Sequence, residues 1–436
     1  MRANVTVLHS SMLRAVVLPL MVLAITVCTH YVLAVWAMQI SPWLAARRRW
    51  VWALVASLVL IPMAARIVHG KWHGEKSQRV GSLGTVEASI VALSMIPLGL
   101  VRLGVHVGFG AAGWFRRRDE EAHEAASPGR EEPAADAAPS AAPAMVARTD
   151  TPAHEVPAQL TRRQIIEGVG GAAALAASGT ALGWGMVRGR HAFVIEEVPV
   201  RIPGLPRALD GYTIVQISDI HVGLFVGDRE LGEGLERVAE ARPDLVVATG
   251  DLVDHDERYI PAMARALGSI RARDGVAAIL GNHDYYTGAQ DVLAGLRAAG
   301  VRALVNEGLV LRGRDGGGFA LLGVADIFAP GAREEPPSLA RAMAMVPPDR
   351  PRILLAHQPE FFVESQGQVA LQLSGHTHGG QINPGFRPAS LFMRYLAGRY
   401  VEAGSTLWVN RGFGVAGPPT RIGAPPEVTK IVLVSA

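Results

Sequence analysis

From about Ala192 onward, short apolar runs alternate with helix-like stretches. The eight runs are rich in Val, Ile and Leu and cover residues 212–218, 244–249, 276–280, 320–324, 352–356, 369–373, 407–409 and 428–434. The helix-like stretches between several of them cover residues 228–241, 260–270 and 289–299. This alternation predicts an α/β fold whose strands are mostly buried. In such folds ligands gather on the loops at the carboxyl ends of the strands.

Five polar motifs stand at those carboxyl ends, each directly after an apolar run. They are Asp219-Ile220-His221, Gly250-Asp251-Leu252-Val253-Asp254, Gly281-Asn282-His283-Asp284, His357 and Gly375-His376-Thr377-His378. A single motif carries little information, because a polar residue at the end of a strand is usually a turn or capping residue. Five such motifs together predict one shared site.

The residue types in these motifs limit the metal chemistry. The chain has one cysteine, Cys28, which excludes an intrachain disulfide, a cysteine-based zinc site and an iron–sulfur cluster. Imidazole and carboxylate ligands suit Mn, Fe, Zn or Co and do not choose among them. Two divalent ions that lie close together need an anionic ligand between them, and Asp251 can supply one carboxylate oxygen to each.

In this order, the motifs resemble those of the calcineurin-like metallophosphoesterase superfamily, and in particular its membrane-associated bacterial branch. The resemblance covers about residues 210–435, and Gly379, Gly380 and Gln381 after His378 are typical of that branch. It implies a central β-sandwich flanked by helices, with two divalent cations at the strand ends.

The resemblance also implies a role for each polar residue. The matches are Asp219, His221 and His378 for the first metal, Asp251 for the carboxylate that bridges both metals, Asn282, His357 and His376 for the second metal, and His283 for the catalytic histidine. A water that bridges two such cations has its pKa lowered toward neutrality, and the resulting hydroxide attacks phosphorus in line. No protein nucleophile is then required.

His283 follows a predicted ligand directly, so its ring can approach the site without binding a metal. It is therefore the expected general acid for the leaving oxygen. Asp254, three residues beyond Asp251, can accept a hydrogen bond from the other ring nitrogen and hold His283 oriented. The alternative for Asp254 is a simple turn residue.

Two departures distinguish this chain from one subfamily of the superfamily. Protein serine/threonine phosphatases carry an Arg-Gly pair where this chain has His255 and Asp256 after Asp254, and they have Glu where this chain has Asp284. The sequence therefore does not favour a phosphoprotein phosphatase.

The chain as a whole is too apolar for an ordinary soluble protein. Its mean hydropathy is +0.22 and 49% of its residues are hydrophobic. Apolar segments at residues 13–38, 50–68 and about 85–109 are long enough to predict about three transmembrane helices within residues 1–118. Arg102 lies in the third segment. We expect its side chain to extend toward the membrane surface instead of serving as a functional charge inside the membrane.

Two further segments connect this region to the α/β domain. Residues 119–160 are rich in Ala, Pro and Glu and carry nine acidic and two basic residues, which predicts a disordered linker. Residues 161–190 resemble a twin-arginine export signal, and the alternative is a fourth transmembrane helix. The predicted phosphoesterase domain covers residues 191–436. If the arginine clusters at 47–49, 116–118 and 162–163 are cytoplasmic, that domain lies outside a bacterial cell membrane. The basic residues at 66, 71, 76 and 79 argue against this orientation.

These patterns predict a membrane-anchored, binuclear-metal hydrolase that splits phosphomonoesters or phosphodiesters with metal-bound hydroxide. The expected substrate is a phosphate ester, which a membrane tether allows to be lipid-linked. No nucleic-acid partner is expected, because no nucleic-acid-reading motif with interleaved aromatics is present, and the oligomeric state is not indicated. Two alternatives stay open: a pyrophosphate hydrolase of the UDP-2,3-diacylglucosamine type that acts in lipid A synthesis, and a membrane module that binds metal without turnover.

Overall fold

The computed structural model describes residues 18–72, 91, 95, 98–118, 161–312 and 317–435. The predicted linker at 119–160, the start of the first predicted span and most of residues 85–97 lie outside the described residues. The described residues form two compact units, one from Leu23–Val59 and Val91–Ser178 and the other containing Gly179–Ala436.

Helices make up the described amino-terminal part of the chain. They are α1 (Leu18–Ile40), α2 (Pro42–Ala46), α3 (Arg48–Trp72), α4 (Leu98–Arg118) and α5 (Arg162–Val187). Within the described residues, two helical stretches have the length and composition to cross a membrane, namely Leu98–Arg118 and Arg162–His191.

Small residues allow these helices to approach one another. Gly171 of α5 lies against Trp36 and Leu98, so closely that a Cβ atom would stand 2.2 Å from the Trp36 ring. Arg102 of α4 donates a hydrogen bond to Gln39 Oε1 at 3.3 Å, so its charge has a polar partner on α1.

The second unit contains two six-stranded sheets. Their strands are β1 (Val194–Ile202), β2 (Thr213–Ile217), β3 (Leu245–Thr249), β4 (Val276–Ile279), β5 (Arg302–Ala303), β6 (Glu307–Arg312), β7 (Gly318–Gly323), β8 (Arg352–Leu355), β9 (Leu371–Ser374), β10 (Gly398–Glu402), β11 (Ser405–Val409) and β12 (Glu427–Ser435). The first sheet has the order β1-β12-β2-β3-β4-β5 and the second β10-β11-β9-β8-β7-β6. Strands β2 to β5 are parallel, as are β7, β8, β9 and β11.

The sheets pack face to face, and helices cover their outer faces. Ile214, Phe319 and Leu373 belong to the apolar core between the sheets. Val215 and Ile217 point to the opposite face, into a core shared with α6 (Asp228–Glu240), α7 (Ile260–Ser269) and α8 (Asn282–Ala298). The second sheet is covered by α9 (Leu339–Ala344) and α10 (Phe362–Ser365). Central strands are thus buried on both faces, which explains their continuous apolar runs and confirms the predicted α/β sandwich.

Helix α8 begins earlier than the sequence pattern predicts. It starts at Asn282 instead of residue 289, because Gly281 caps it and the Gly281 N–H donates to Asp284 Oδ2 at 2.9 Å. Gly288 has φ 130 and kinks the helix, which interrupts the helical periodicity. The Asn282-His283-Asp284 motif therefore lies on the first turn of a helix and not on a loop.

The core between the sheets provides the first testable prediction. Leu373 is fully buried there, so Leu373→Ala is expected to lower the free energy of unfolding by about 2–5 kcal/mol through lost burial and a cavity. Leu391 is 76% exposed, and Leu391→Ala is expected to change it by less than about 0.5 kcal/mol. Denaturant titration of the full chain in detergent, followed by near-ultraviolet circular dichroism, measures both. Equal midpoints for the two variants would contradict the assigned core.

Candidate metal centre

The carboxyl ends of parallel strands from both sheets bring the predicted ligand residues together. Their side chains form two groups, Asp219 with His221 and His378, and Asp251 with His357 and His376. Within each group the possible ligand atoms all lie within 4.8 Å of one another. Each group offers one carboxylate and two imidazoles, a donor set that suits a divalent transition-metal ion.

Asp251 belongs to the second group and also lies close to the first. Its Oδ2 is 3.6 Å from His221 Nε2 and 3.2 Å from His357 Nε2. Its Oδ1 accepts a hydrogen bond from the backbone N–H of His283 at 2.8 Å. A buried carboxylate in this position is able to contribute to both groups at once.

The backbone at the site is strained. Five of the seven predicted ligand residues have left-handed backbone conformations, namely Asp219 (φ 51), His221 (φ 50), Asp251 (φ 51), His376 (φ 70) and His378 (φ 51). Such conformations cost about 1–2 kcal/mol for each residue other than glycine. Strain of this kind concentrates at functional sites, where the surrounding fold imposes it.

Some imidazole nitrogens in the site have no hydrogen-bond partner. His221 Nδ1 and His376 Nδ1 are buried and find none among the described residues. His357 Nδ1 lies 2.7 Å from the Thr249 carbonyl oxygen, so it acts as the donor, and Nε2 of the same ring faces Asp251 Oδ2 at 3.2 Å. Unsatisfied buried nitrogens are costly unless a ligand occupies them, so these residues fit a bound cation.

Burial favours the neutral form of three of the four imidazoles. It lowers the pKa of His221 to about 4 and that of His376 to about 3, and it holds the pKa of His378 well below its ordinary value. Burial acts in the same direction on His357, but the charge of Asp251 raises the pKa of His357 well above its ordinary value. A metal binds only the neutral imidazole, so the low pKa values favour coordination. Burial raises the pKa of Asp219 to about 6, although the N–H of His376 donates to its carboxylate at 3.0 Å.

Asn282 stands beside the second group, on the first turn of α8. It is buried, and its Oδ1 accepts a hydrogen bond from Gln358 Nε2 at 3.4 Å. The preceding residue, Gly281, touches the group so closely that a Cβ atom would stand 2.3 Å from Asp251 Oδ1 and 2.8 Å from His357 Nε2. The role of Asn282 as a ligand stays a prediction.

His283 and Asp254 form the pair that the sequence analysis expected. His283 Nδ1 lies 3.3 Å from Asp254 Oδ1, and the His283 ring meets that of His221 edge to face with centroids 4.5 Å apart. Burial acts to lower the pKa of His283, but the hydrogen bond to Asp254 and the charge of Asp251 outweigh it and raise that pKa overall. The hydrogen bond to Asp254 thereby favours the protonated form of His283 beside the two groups.

Asp284 connects two of the motifs. Its Oδ1 accepts hydrogen bonds from the N–H groups of Leu252 and Val253 at 2.9 and 3.1 Å, and its Oδ2 accepts one from Gly281. Burial and the nearby charge of Asp251 raise its pKa to about 7. The sequence analysis noted Asp284 only as a departure from a subfamily, and the structure assigns it to fixing the loop after β3 against the start of α8.

Sequence reasoning missed Arg421. Its guanidinium is buried and donates to the carbonyl oxygens of Arg411, Gly412, Gly414 and Ala424, and its Nη2 lies 3.2 Å from His378 Nδ1. Burial lowers its pKa to about 10. These hydrogen bonds support the loop that contains Gly412 and Gly414. That loop in turn holds Asp219, because the Gly414 N–H donates to the Asp219 carbonyl oxygen at 2.8 Å. An arginine in a Gly/Pro-rich segment usually indicates a surface turn, so no sequence signal identified it.

Arg411 pairs with acidic residues and does not stand free for a substrate. Its Nη2 lies 2.9 Å from Glu196 Oε2 and its Nε lies 2.5 Å from Glu427 Oε2. The structure therefore favours an ion-pair role for Arg411.

Comparison with known proteins agrees with the family resemblance of the sequence motifs. A family model described as calcineurin-like phosphoesterase matches residues 212–380. The uncharacterized metallophosphoesterase YkuE of Bacillus subtilis is 32% identical over 288 residues, which cover 64% of this chain and 99% of YkuE. An uncharacterized metallophosphoesterase of Helicobacter pylori strain J99 is 32% identical over 243 residues, which cover 55% of this chain and 64% of that protein.

A further relative carries the word transmembrane in its name. A Bos taurus transmembrane protein with metallophosphoesterase domain is 33% identical over 264 residues, which cover 58% of this chain and 60% of that protein. The chain therefore spans less than two thirds of the length of the bovine and Helicobacter proteins.

The close approach of Gly375 to the first group gives a second prediction. A Cβ atom there would stand 1.9 Å from Ser218 Oγ and 2.3 Å from Asp219 Oδ2, so Gly375→Ala displaces the Asp219 carboxylate. We expect Mn²⁺ affinity to fall by about 10–100-fold, the size of effect seen when a ligand's support is lost. Metal titration with inductively coupled plasma analysis measures it.

The matched control is Gly232→Ala on α6, where a Cβ atom meets nothing within 4 Å. This variant is expected to bind Mn²⁺ like the parent chain. Unchanged metal affinity in Gly375→Ala would contradict the placement of Asp219 in the site.

Proposed function

Because the chain belongs to the calcineurin-like metallophosphoesterase family, we propose that its α/β domain is a membrane-anchored hydrolase of phosphomonoesters or phosphodiesters that works with two divalent cations. The main support for this proposal is that Asp251, the carboxylate of the second group, also lies 3.6 Å from His221 of the first group. Paired divalent ions need such a shared anionic ligand.

In this proposal the two groups hold one cation each. Asp219, His221 and His378 hold the first, and Asp251, His357 and His376 hold the second with Asn282 beside them. When bound, such cations neutralise phosphate charge and lower the pKa of water to near neutrality. The protein's own contribution is to fix the ligands, and the strained backbone conformations at five of them support a preorganised site.

His283 supplies the proton for the leaving oxygen. It is not needed as a ligand, its side chain is 19% exposed, and Asp254 holds its Nδ1 side. The opposite ring nitrogen, Nε2, is then free to face a substrate and donate a proton. A histidine that Asp254 orients beside the two groups counts against an inert metal module, because a module without turnover needs no acid.

Membrane anchoring is supported by two observations. Two described helical stretches are long and apolar enough to cross a bilayer. The bovine relative is named as a transmembrane protein. We propose that α5 is the last span before the hydrolase domain and, from the arginine clusters of the sequence, that the domain lies on the extracytoplasmic face.

Replacement of the shared carboxylate tests the proposed mechanism. Asp251→Asn removes the charge that balances two cations, and the turnover of bis(p-nitrophenyl) phosphate with Mn²⁺ is expected to fall to the background rate. The exposed Asp349→Asn serves as the control and is expected to keep the parent activity. Parent-like turnover in Asp251→Asn would refute the proposed centre.

The acid role of His283 has a separate test. His283→Asn is expected to keep the parent metal content and to lower kcat on an alkyl phosphate ester by about 10²–10⁴-fold, the usual contribution of a general acid. The loss on a p-nitrophenyl ester should be much smaller, because that leaving group needs little protonation. An equal loss on both esters would argue that His283 has another role.

A further inference from the structure

We propose that loop 384–396, which leaves the metal centre directly after the His378 motif, inserts into the surface of an anionic phospholipid bilayer and makes lipid phosphate esters the substrate class. This inference rests on the membrane anchoring and the hydrolase activity proposed above.

The loop exposes large apolar side chains. Phe386, Leu391 and Phe392 are 61%, 76% and 89% exposed, although the loop lies in a well-packed α/β unit. Clustered exposed side chains of this size mark interaction surfaces, because water disfavours them. Phe and Leu are also the side chains that bury themselves at the boundary between headgroups and acyl chains.

The charge around these side chains matches an anionic membrane. Residues 384–401 contain Arg387, Arg394 and Arg399, all exposed, and no acidic residue. Arg394 pairs with Glu402, which lies just beyond this stretch. Apolar side chains flanked by arginines are typical of protein segments that lie in the headgroup region of anionic lipids.

The last turns of α5 contact a segment that adjoins this loop. The Leu182 carbonyl oxygen accepts a hydrogen bond from Thr420 Oγ1 at 3.0 Å, and the Gly185 carbonyl oxygen accepts one from the Arg421 N–H at 3.3 Å. A Cβ atom on Gly185 would stand 3.0 Å from Ile422. The end of α5 is therefore fixed to residues 420–422.

Residues 420–422 lie directly beside the start of the loop. Ile422 forms a β-bridge with Ile382, and the Asn383 N–H donates to the Ile422 carbonyl oxygen at 2.7 Å. Loop 384–396 thus leaves the domain from the strip on which α5 ends. A bilayer that takes up α5 has its surface at this strip, so the exposed Phe and Leu side chains reach the lipid.

Both ends of the loop are also tied to the metal centre. Asn383 Nδ2 donates to the Gly379 carbonyl oxygen at 2.9 Å, and Thr377 Oγ1 donates to the Leu396 carbonyl oxygen at 2.6 Å. Thr377 and Gly379 are the chain neighbours of His378. The loop is thereby held beside the histidine groups, and the proposal places the headgroup phosphate of a lipid that lies against the loop next to them.

Depth-dependent quenching in a bilayer tests the location of the loop. The full chain with Cys28→Ala and Phe392→Cys is labelled with an environment-sensitive fluorophore. It is then placed as a single copy in nanodiscs of phosphatidylcholine and phosphatidylglycerol, some of whose acyl chains carry a nitroxide. We expect strong quenching at position 392 and a several-fold weaker effect when Arg387→Gln and Arg394→Gln are added.

Two control labels make the outcomes distinct. Ala176→Cys on α5 reports the membrane span, and Met345→Cys, exposed on the side of the second sheet that α9 covers, reports the aqueous face. Quenching at 176 without quenching at 392 leaves the anchor intact and overturns the loop proposal. No quenching at either position overturns the anchor as well, and equal quenching at 345 and 392 overturns specific docking. Shielding of position 392 only in discs that hold two chains would show a second copy to be the occupant, and would also overturn the proposal.

A substrate comparison separates this proposal from the proposed chemistry. Phe386→Ser with Phe392→Ser is expected to raise KM for phosphatidic acid in vesicles by about tenfold or more and to leave the turnover of soluble bis(p-nitrophenyl) phosphate unchanged, as expected for lost interfacial binding. Equal effects on both substrates would overturn the loop's role. If the parent chain hydrolysed neither phosphatidic acid nor bis(p-nitrophenyl) phosphate, the proposed function would be refuted.

Discussion

A carboxylate buried between histidines is the constraint on which the site depends. Burial of an unpaired charge is costly, so Asp251 is retained only where positive or donor groups surround it. The fold supplies one such donor, the His283 N–H, and places imidazoles of both groups around the second oxygen. Some buried imidazole nitrogens of the site have no hydrogen-bond partner among the described residues. Bound cations would satisfy both these nitrogens and the negative charge of the carboxylate.

The sandwich architecture makes this arrangement possible. Strands buried on both faces form a rigid base, and five of the predicted ligand residues that follow their carboxyl ends have left-handed backbone conformations. Buried polar groups then brace the loops that carry these residues. Asp284 joins the loop after β3 to the start of α8, and Arg421 joins the loop that holds Asp219 to the neighbourhood of His378. Since Arg421 also adjoins the end of α5, the proposed membrane span and the metal centre share one structural support.

The sequence predicted the central strands and showed the polar motifs that the structure brings together, because both depend on local patterns. All eight predicted strands are present, and the four that were missed, β1, β5, β6 and β10, are the edges of the two sheets. Edge strands are half exposed, as in β10, so they lack the continuous apolar runs of the centre. Arg421 and loop 384–396 were missed for a different reason. Their importance comes from contacts with residues distant in the sequence, and a single sequence does not record such contacts.

Anomalous diffraction from crystals of the full chain grown with Mn²⁺ locates bound cations relative to Asp251. Two manganese peaks are expected about 3.5–4 Å apart, the usual spacing of paired catalytic ions. One peak should lie among Asp219, His221 and His378 and the other among Asp251, His357 and His376, with a carboxylate oxygen of Asp251 at each. A single peak, or two peaks that do not share Asp251, would contradict the proposed centre.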